Sequence, residues 1–134
     1  SPDVAVALWE KFLFIAPFSA VGAAARKPAG AWRRVPETRA LLTAAMNEVV
    51  DLARARGVLV PREAVDRTLA FTDKLPEDAT ASMQRDLLEG RPSELEAQTG
   101  AIVRLGREAG LPTPANSFLY AVLLPAERLA RGLF

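Results

Sequence analysis

Lys11, Ile15 and Ser19 stand in the stretch "LWEKFLFIAPFSAVGAAA" (8–25), one helical turn apart in succession, and so share one face of a helix. After Lys11 no charged residue follows until Arg26. An ammonium is rarely buried without a partner. Lys11 is therefore either a solvated or snorkelling residue of the first helical turns, or a group with a chemical task. Ser82 and Glu94 could work beside it. Ser82 opens "SMQRDLLEG", where a hydroxyl and unpaired backbone N–H groups can hold an anion. Glu94 heads "ELEAQTGAIVRLGREAG", where the helix dipole favours a carboxylate. Each has a plainer reading, Ser82 as an ordinary first-turn residue and Glu94 as a complement to the dipole. Spacing alone marks candidates without reaching a reaction.

Composition narrows the chemistry. The chain has no histidine and no cysteine, which excludes Ser-His-Asp catalysis, histidine-based zinc sites, thiolate chemistry and disulfides within it. Acid–base work falls to lysine, glutamate, aspartate or Tyr120. The 134 residues are 50% hydrophobic and 25% charged, a length and balance that suit one domain with its own core. A net charge of +1 gives no electrostatic reason to expect nucleic acid or an anionic membrane surface. The apolar run from Phe12 to Ala25 is shorter than the roughly 20 residues of a membrane span, which argues for a core helix rather than an anchor. Arg26, Lys27, Arg33 and Arg34 gather around Trp32 and read as a solvated loop rather than a phosphate site. Pairing of Arg54 with Asp51 would be surface decoration.

The elements that position these residues read as helices throughout. Asp3 can cap a helix running into the low twenties, and Pro17 inside it should free the carbonyl of Leu13 and kink it. "KPAGAWRRV" reads as a polar connection. "PETRALLTAAMNEVVDLARARG" has Pro36 near its start, a stripe of Leu42, Met46, Val49 and Ala53, and Gly57 just past its end, which suits a helix at both termini. Pro61 repeats the device before "AVDRTLAFTDKL". Thr80 can cap the segment that stops at Gly90. Ser93 with Glu96 fits a capping box. Thr113 and Pro114 open a last helix, and Pro125 should end it after Leu124. "GVLVP" is too short to build a sheet. The class is all-α, with six or seven helices around a long central apolar one.

Taken together, "LWEKFLFIAPFSAVGAAAR", "PETRALLTAAMNEVVDLARARGV" and "ATASMQRDLLEGRPSELEAQTGAIVRLGREAGLPTPANSFLYAVL" resemble the C-terminal helical domain of the 2-dehydropantoate 2-reductase (ketopantoate reductase) family. The likeness covers roughly residues 3 to 125, most specifically the block from Ser82 to Pro114. It implies a fold of the 6-phosphogluconate dehydrogenase C-terminal-like type. It also implies an oxidoreductase that passes a hydride from NADPH to the keto carbon of a 2-oxo acid, in the step from ketopantoate to pantoate of pantothenate biosynthesis. The family's W-x-K lysine, the proton donor, matches Lys11. Its S-M serine, a substrate contact, matches Ser82, and the glutamate that supports the lysine and the substrate hydroxyl matches Glu94. Beside an apolar wall the charged amine should be desolvated and its pKa should fall toward the working range. The family commonly carries asparagine one and two turns after the lysine, facing the substrate. Here those substrate-lining positions are Ile15 and Ser19, which puts the identity of the 2-oxo acid in question.

The resemblance further implies that residues 1–134 are a single catalytic and substrate domain, inactive alone. NADPH would then be held mainly by an N-terminal Rossmann domain that these residues do not include. No G-x-G-x-x-G turn occurs, and the opening "SPDVAVALWEK" already reads as helix, so the natural chain is expected to continue upstream. The implied partners are the small 2-oxo acid, that Rossmann domain and a second copy in a homodimer, with no nucleic acid and no membrane. The implied location is cytoplasmic. The competing readings are a helical interaction or dimerisation module that keeps the fold without the chemistry, and a family member with a different 2-oxo acid.

Overall fold

The computed structural model describes residues 2–134. It is helical, and among the described residues there is no strand. The helices are α1 (Pro2–Ala25), α2 (Ala29–Trp32), α3 (Pro36–Ala55), α4 (Ala64–Lys74), α5 (Ser82–Leu88), α6 (Ala101–Ala109) and α7 (Pro114–Ala130). A single π turn, Glu96–Gly100, leads directly into α6. The all-α expectation holds.

Helix α1 packs against α2, α3, α4, α5, α7 and the π turn. Its residues from Ala16 to Ala23 are buried without a break, as a helix apolar on every side requires. Its first half is more open, with Val4 and Leu8 exposed. The whole helix is 24 residues long, and by length and composition it could cross a membrane. The run-length argument against a span therefore does not hold. What marks α1 as a core helix is the unbroken enclosure of residues 16–23 by its neighbours. Pro17 lies buried inside the helix, which continues through it to Ala25. Asp3 lies in the first turn rather than outside it.

Glycine makes room where α1 and α2 meet their neighbours, for a side chain at Gly22 and for backbone at Gly30. A Cβ on Gly22 would stand 2.4 Å from the Gln84 side-chain oxygen, so glycine leaves room for the buried Gln84 side chain against α1. The Gln84 amide then donates to the Lys27 carbonyl at 2.9 Å. A Cβ on Gly30 would stand 2.8 Å from the carbonyl oxygen of Glu77, to which the Gly30 N–H itself donates. The stretch expected as a polar connection is thus the short helix α2, with Ala29, Gly30 and Trp32 buried. Aromatic contacts complete this corner: Phe18 lies 5.4 Å from Trp32 in a tilted pair and stacks on Phe14 at 5.1 Å.

The stripe of α3 (Leu42, Met46, Val49 and Ala53) is wholly buried, as its spacing dictates. Gly57 and Gly90 take left-handed φ values of 81° and 74° after α3 and α5, where a side chain would be strained. Exposed ion pairs contribute at most about 1 kcal/mol each, whereas full burial of one leucine contributes about 1.5–3 kcal/mol. The core therefore sets stability. The ion pairs fix orientation, and several differ from expectation. Asp51 pairs with Arg62 at 2.5 Å rather than with Arg54, and Arg54 donates to the Val60 carbonyl. Arg33 caps the end of α4 through the carbonyls of Thr72 and Leu75, and Arg34 pairs with Glu77.

Pro125 does not end the last helix, which runs to Ala130. The carbonyl that proline leaves unpaired belongs to Ala121, an exposed residue, so water can satisfy it. At the other end, the Glu48 carboxylate of α3 accepts the N–H groups of Ala115 and Asn116 at 2.8 and 3.0 Å. A carboxylate at a helix N-terminus is favoured by the dipole, and Glu48 rather than the Thr113 side chain caps the helix.

Candidate active site

The Lys11 side chain is exposed and forms no ion pair among the described residues. It lines a recess with Phe14, Arg67, Thr68 and Phe71. Phe14 and Phe71 meet edge to face at 5.0 Å and form the apolar wall. Arg67 is the second cation of the recess, held by Glu10 at 2.7 Å. That hydrogen bond, with the charge of Glu10, holds the Arg67 guanidinium more firmly protonated. Sequence reasoning did not single out Arg67, because its pairing with Glu10 joins α4 to α1 across the fold. An apolar wall is present as expected, but the burial that would desolvate the Lys11 ammonium is not supplied within this chain.

Ile15 is half-buried, one turn beyond Lys11. Ser19 differs from expectation. It is fully enclosed, at 0% exposure, and its hydroxyl has no hydrogen-bond partner. It presents no group to an open surface, because its turn of α1 lies in the part that the other helices cover on every side.

Ser82 is exposed at the first position of α5. The segment before it is fixed by α2, whose Ala29 and Gly30 N–H groups donate to the carbonyls of Ala79 and Glu77 at 3.0 and 2.9 Å. Thr80 makes no cap to α5 and accepts from Arg85 instead.

Glu94 is exposed in the bend before the π turn. The expected capping box does not form. The Ser93 N–H and hydroxyl both donate to Glu127, at 3.0 and 2.6 Å. Glu96 instead accepts from the Tyr120 hydroxyl at 2.5 Å. Glu127 was missed because it lies beyond Pro125, although its spacing of four from Leu123 and eight from Leu119 places it on the buried stripe of α7. No hydrogen bond or ion pair links Lys11, Ser82 and Glu94 among the described residues. Helix α5, which carries Ser82, and the π turn that follows Glu94 each pack on α1.

The Glu96 bond makes Tyr120 a reporter for this segment. Donation to Glu96, then burial and the carboxylate charge, push the phenol above its ordinary value. The neutral phenol is the form the fold stabilises. Its contribution is complete below the unfolded value near 10 and is lost as pH rises through the folded one. Tyr120 is the single tyrosine, so its phenolate absorbance reads it directly. Titration should place the midpoint above that of a free tyrosine, and Glu96→Gln should lower it. An ordinary midpoint in the unsubstituted chain would show that the contact does not exist in solution.

Residues 3–127 match the family model described as "Ketopantoate reductase PanE/ApbA C terminal". The chain belongs to this family. A 2-dehydropantoate 2-reductase of Mycobacterium tuberculosis is 32% identical over 93% of this chain and 42% of its own length. One from Vibrio cholerae is 29% identical over 96% of this chain and 43% of its own length. Among solved structures, a dimeric ketopantoate reductase from Staphylococcus aureus superposes with a TM-score of 0.87 at 27% identity, covering 92% of this chain and 43% of that one. The chain thus spans less than half the length of the ketopantoate reductases it matches, and its helices match their fold.

Proposed function

We propose that residues 1–134 are the catalytic and substrate domain of an NADPH-dependent 2-oxo acid reductase of the 2-dehydropantoate 2-reductase type, with Lys11 as proton donor. The observation that carries this reading is the lysine itself. In a chain of this family, an exposed amine with no ion pair among the described residues stands part-way along the core helix, in a recess with an apolar wall. Reduction of a 2-oxo acid adds a hydride to the keto carbon and a proton to its oxygen, giving the 2-hydroxy acid. Lys11 gives the proton from Nζ to the developing alkoxide and regains one from water. Its positive charge, in place beforehand, stabilises the alkoxide as it forms. Glu94 accepts hydrogen bonds from the ammonium and the substrate hydroxyl, and Ser82 holds the substrate. Ile15, one turn beyond Lys11, borders the substrate with an apolar side chain.

The cofactor does not fit these residues. No G-x-G-x-x-G turn occurs, and among the described residues there is no strand to deliver one to a helix N-terminus. NADPH, which would supply the hydride, is assigned to a Rossmann domain N-terminal to this chain. That domain would also cover Lys11, at the open edge of the helical domain where Lys11, Ser82 and Glu94 would face it. The isolated 134-residue chain should then give no saturable heat when titrated with NADPH, and micromolar binding would move the cofactor site into these helices. The decisive test of the catalytic assignment is turnover of the full-length enzyme lacking the Lys11 amine.

The assembly proposed is a homodimer. It is supported by exposed Phe118, Val122 and Leu129 at helical spacing on α7, at 57%, 49% and 70% exposure. The same face favours the alternative of a helical interaction module without chemistry, and unchanged turnover after loss of Lys11 would support that reading. The proposed location is cytoplasmic.

A further inference from the structure

We infer that Glu127 is a positioning residue for Glu94, an inference that rests on the catalytic role proposed for Glu94. Glu127 is 2% exposed on the buried stripe of α7. Its Oε1 accepts the Ser93 N–H at 3.0 Å and the Ser93 hydroxyl at 2.6 Å. Its Oε2 accepts from Arg131 Nε at 2.5 Å. Arg131 in turn donates through Nη2 to the Ser93 carbonyl at 3.0 Å, and the Ser93 hydroxyl accepts the Leu95 N–H at 3.2 Å. Every polar group of Ser93 is therefore held from α7 or by the next turn of its own chain.

Leu95, on the far side of Glu94, is 0% exposed. Glu94 sits between these two pinned residues. Its own carboxylate has no partner among the described residues, so what the fold fixes is the backbone from which it extends, and Glu127 holds that backbone at Ser93. A buried carboxylate is costly unless paired. A helix that needed only to pack would carry leucine here, as it does at positions 119 and 123. Charge-assisted bonds are stronger and more directional than neutral ones, which suits a group that fixes the line of approach of a neighbouring residue.

The test is a double-substitution cycle in the full-length enzyme, read as kcat, with KM for NADPH and thermal unfolding as controls. Glu127→Ala should lower kcat about 10- to 100-fold, as misplacement of a reacting group by ~1 Å does, with KM for NADPH unchanged. Glu127→Gln, which keeps an acceptor for Ser93, should recover part of the loss. In a Glu94→Gln background, Glu127→Ala should change kcat by less than about twofold, since groups acting through one another are not additive. The same loss in both backgrounds, or no loss in either, overturns the inference while leaving Glu94 in its role. A fully active Glu94→Gln enzyme instead overturns the reading on which the inference rests. If Glu127→Ala does not fold, Ser93→Ala decides, because it removes the hydroxyl arm alone. A fall in kcat confined to the enzyme that retains Glu94 supports the inference, and any other pattern overturns it.

Discussion

Lys11→Ala in the full-length enzyme should lower kcat by about 100- to 10,000-fold, the usual contribution of a positioned general acid, and leave the fold intact. These outcomes separate because of where Lys11 stands. It is exposed on the more open first half of α1 and forms no ion pair among the described residues. Surface substitutions away from caps, pairs and cores change stability by only about 0.5 kcal/mol in either direction. The kinetic loss corresponds to roughly 2.7–5.5 kcal/mol of transition-state stabilisation at ~1.4 kcal/mol per factor of ten. A residue that merely shields apolar surface with its methylene stem would show the opposite balance, a small loss of stability and no loss of turnover. Steady-state kinetics and thermal unfolding of the same preparation distinguish the two. If kcat is unchanged, Lys11 is not the proton donor.

The 2-oxo acid preference should be relaxed or shifted toward a more apolar side chain than that of ketopantoate. Ile15 stands one turn from Lys11, half-buried, and cannot donate a hydrogen bond. Ser19 carries a hydroxyl, but it is fully enclosed. This face of α1 therefore offers the substrate hydroxyl no donor beyond Lys11. Sites built to hydrogen-bond a substrate hydroxyl discriminate by as much as about 10,000-fold, while an apolar wall discriminates by about 10- to 200-fold per methylene. The analogue of ketopantoate that lacks the hydroxyl should be reduced at least comparably well. The ratio of kcat/KM values for the two acids measures this. A preference for ketopantoate of about a thousandfold or more would mean that other donors, such as Ser82 or groups of the N-terminal domain, have replaced the missing amides.

The sequence by itself determined what depends on local period and local backbone geometry. The spacing of Leu42, Met46, Val49 and Ala53 set the buried face of α3, and Gly57 and Gly90 marked helix ends because glycine adopts the left-handed turn there without strain. The unbroken apolar run after Lys11 determined that the second half of α1 would be enclosed. The family likeness lay in the same blocks. The tertiary structure decided the partners of polar side chains. Ser93 and Glu96 have the spacing of a capping box, yet Glu127 and Tyr120 arrive from α7 and take both bonds. Thr113 has the chemistry of a cap, yet Glu48 of α3 reaches the helix N-terminus instead. Pro125 reads as a helix stop, yet an exposed Ala121 carbonyl lets the helix pass and carries Glu127 onto Ser93. Ser19 shares a stripe with Lys11, but packing encloses one and leaves the other open. A helix's period is fixed by bonds within a few residues of each other, whereas a long polar side chain binds whichever group the assembled fold brings within about 3 Å of it.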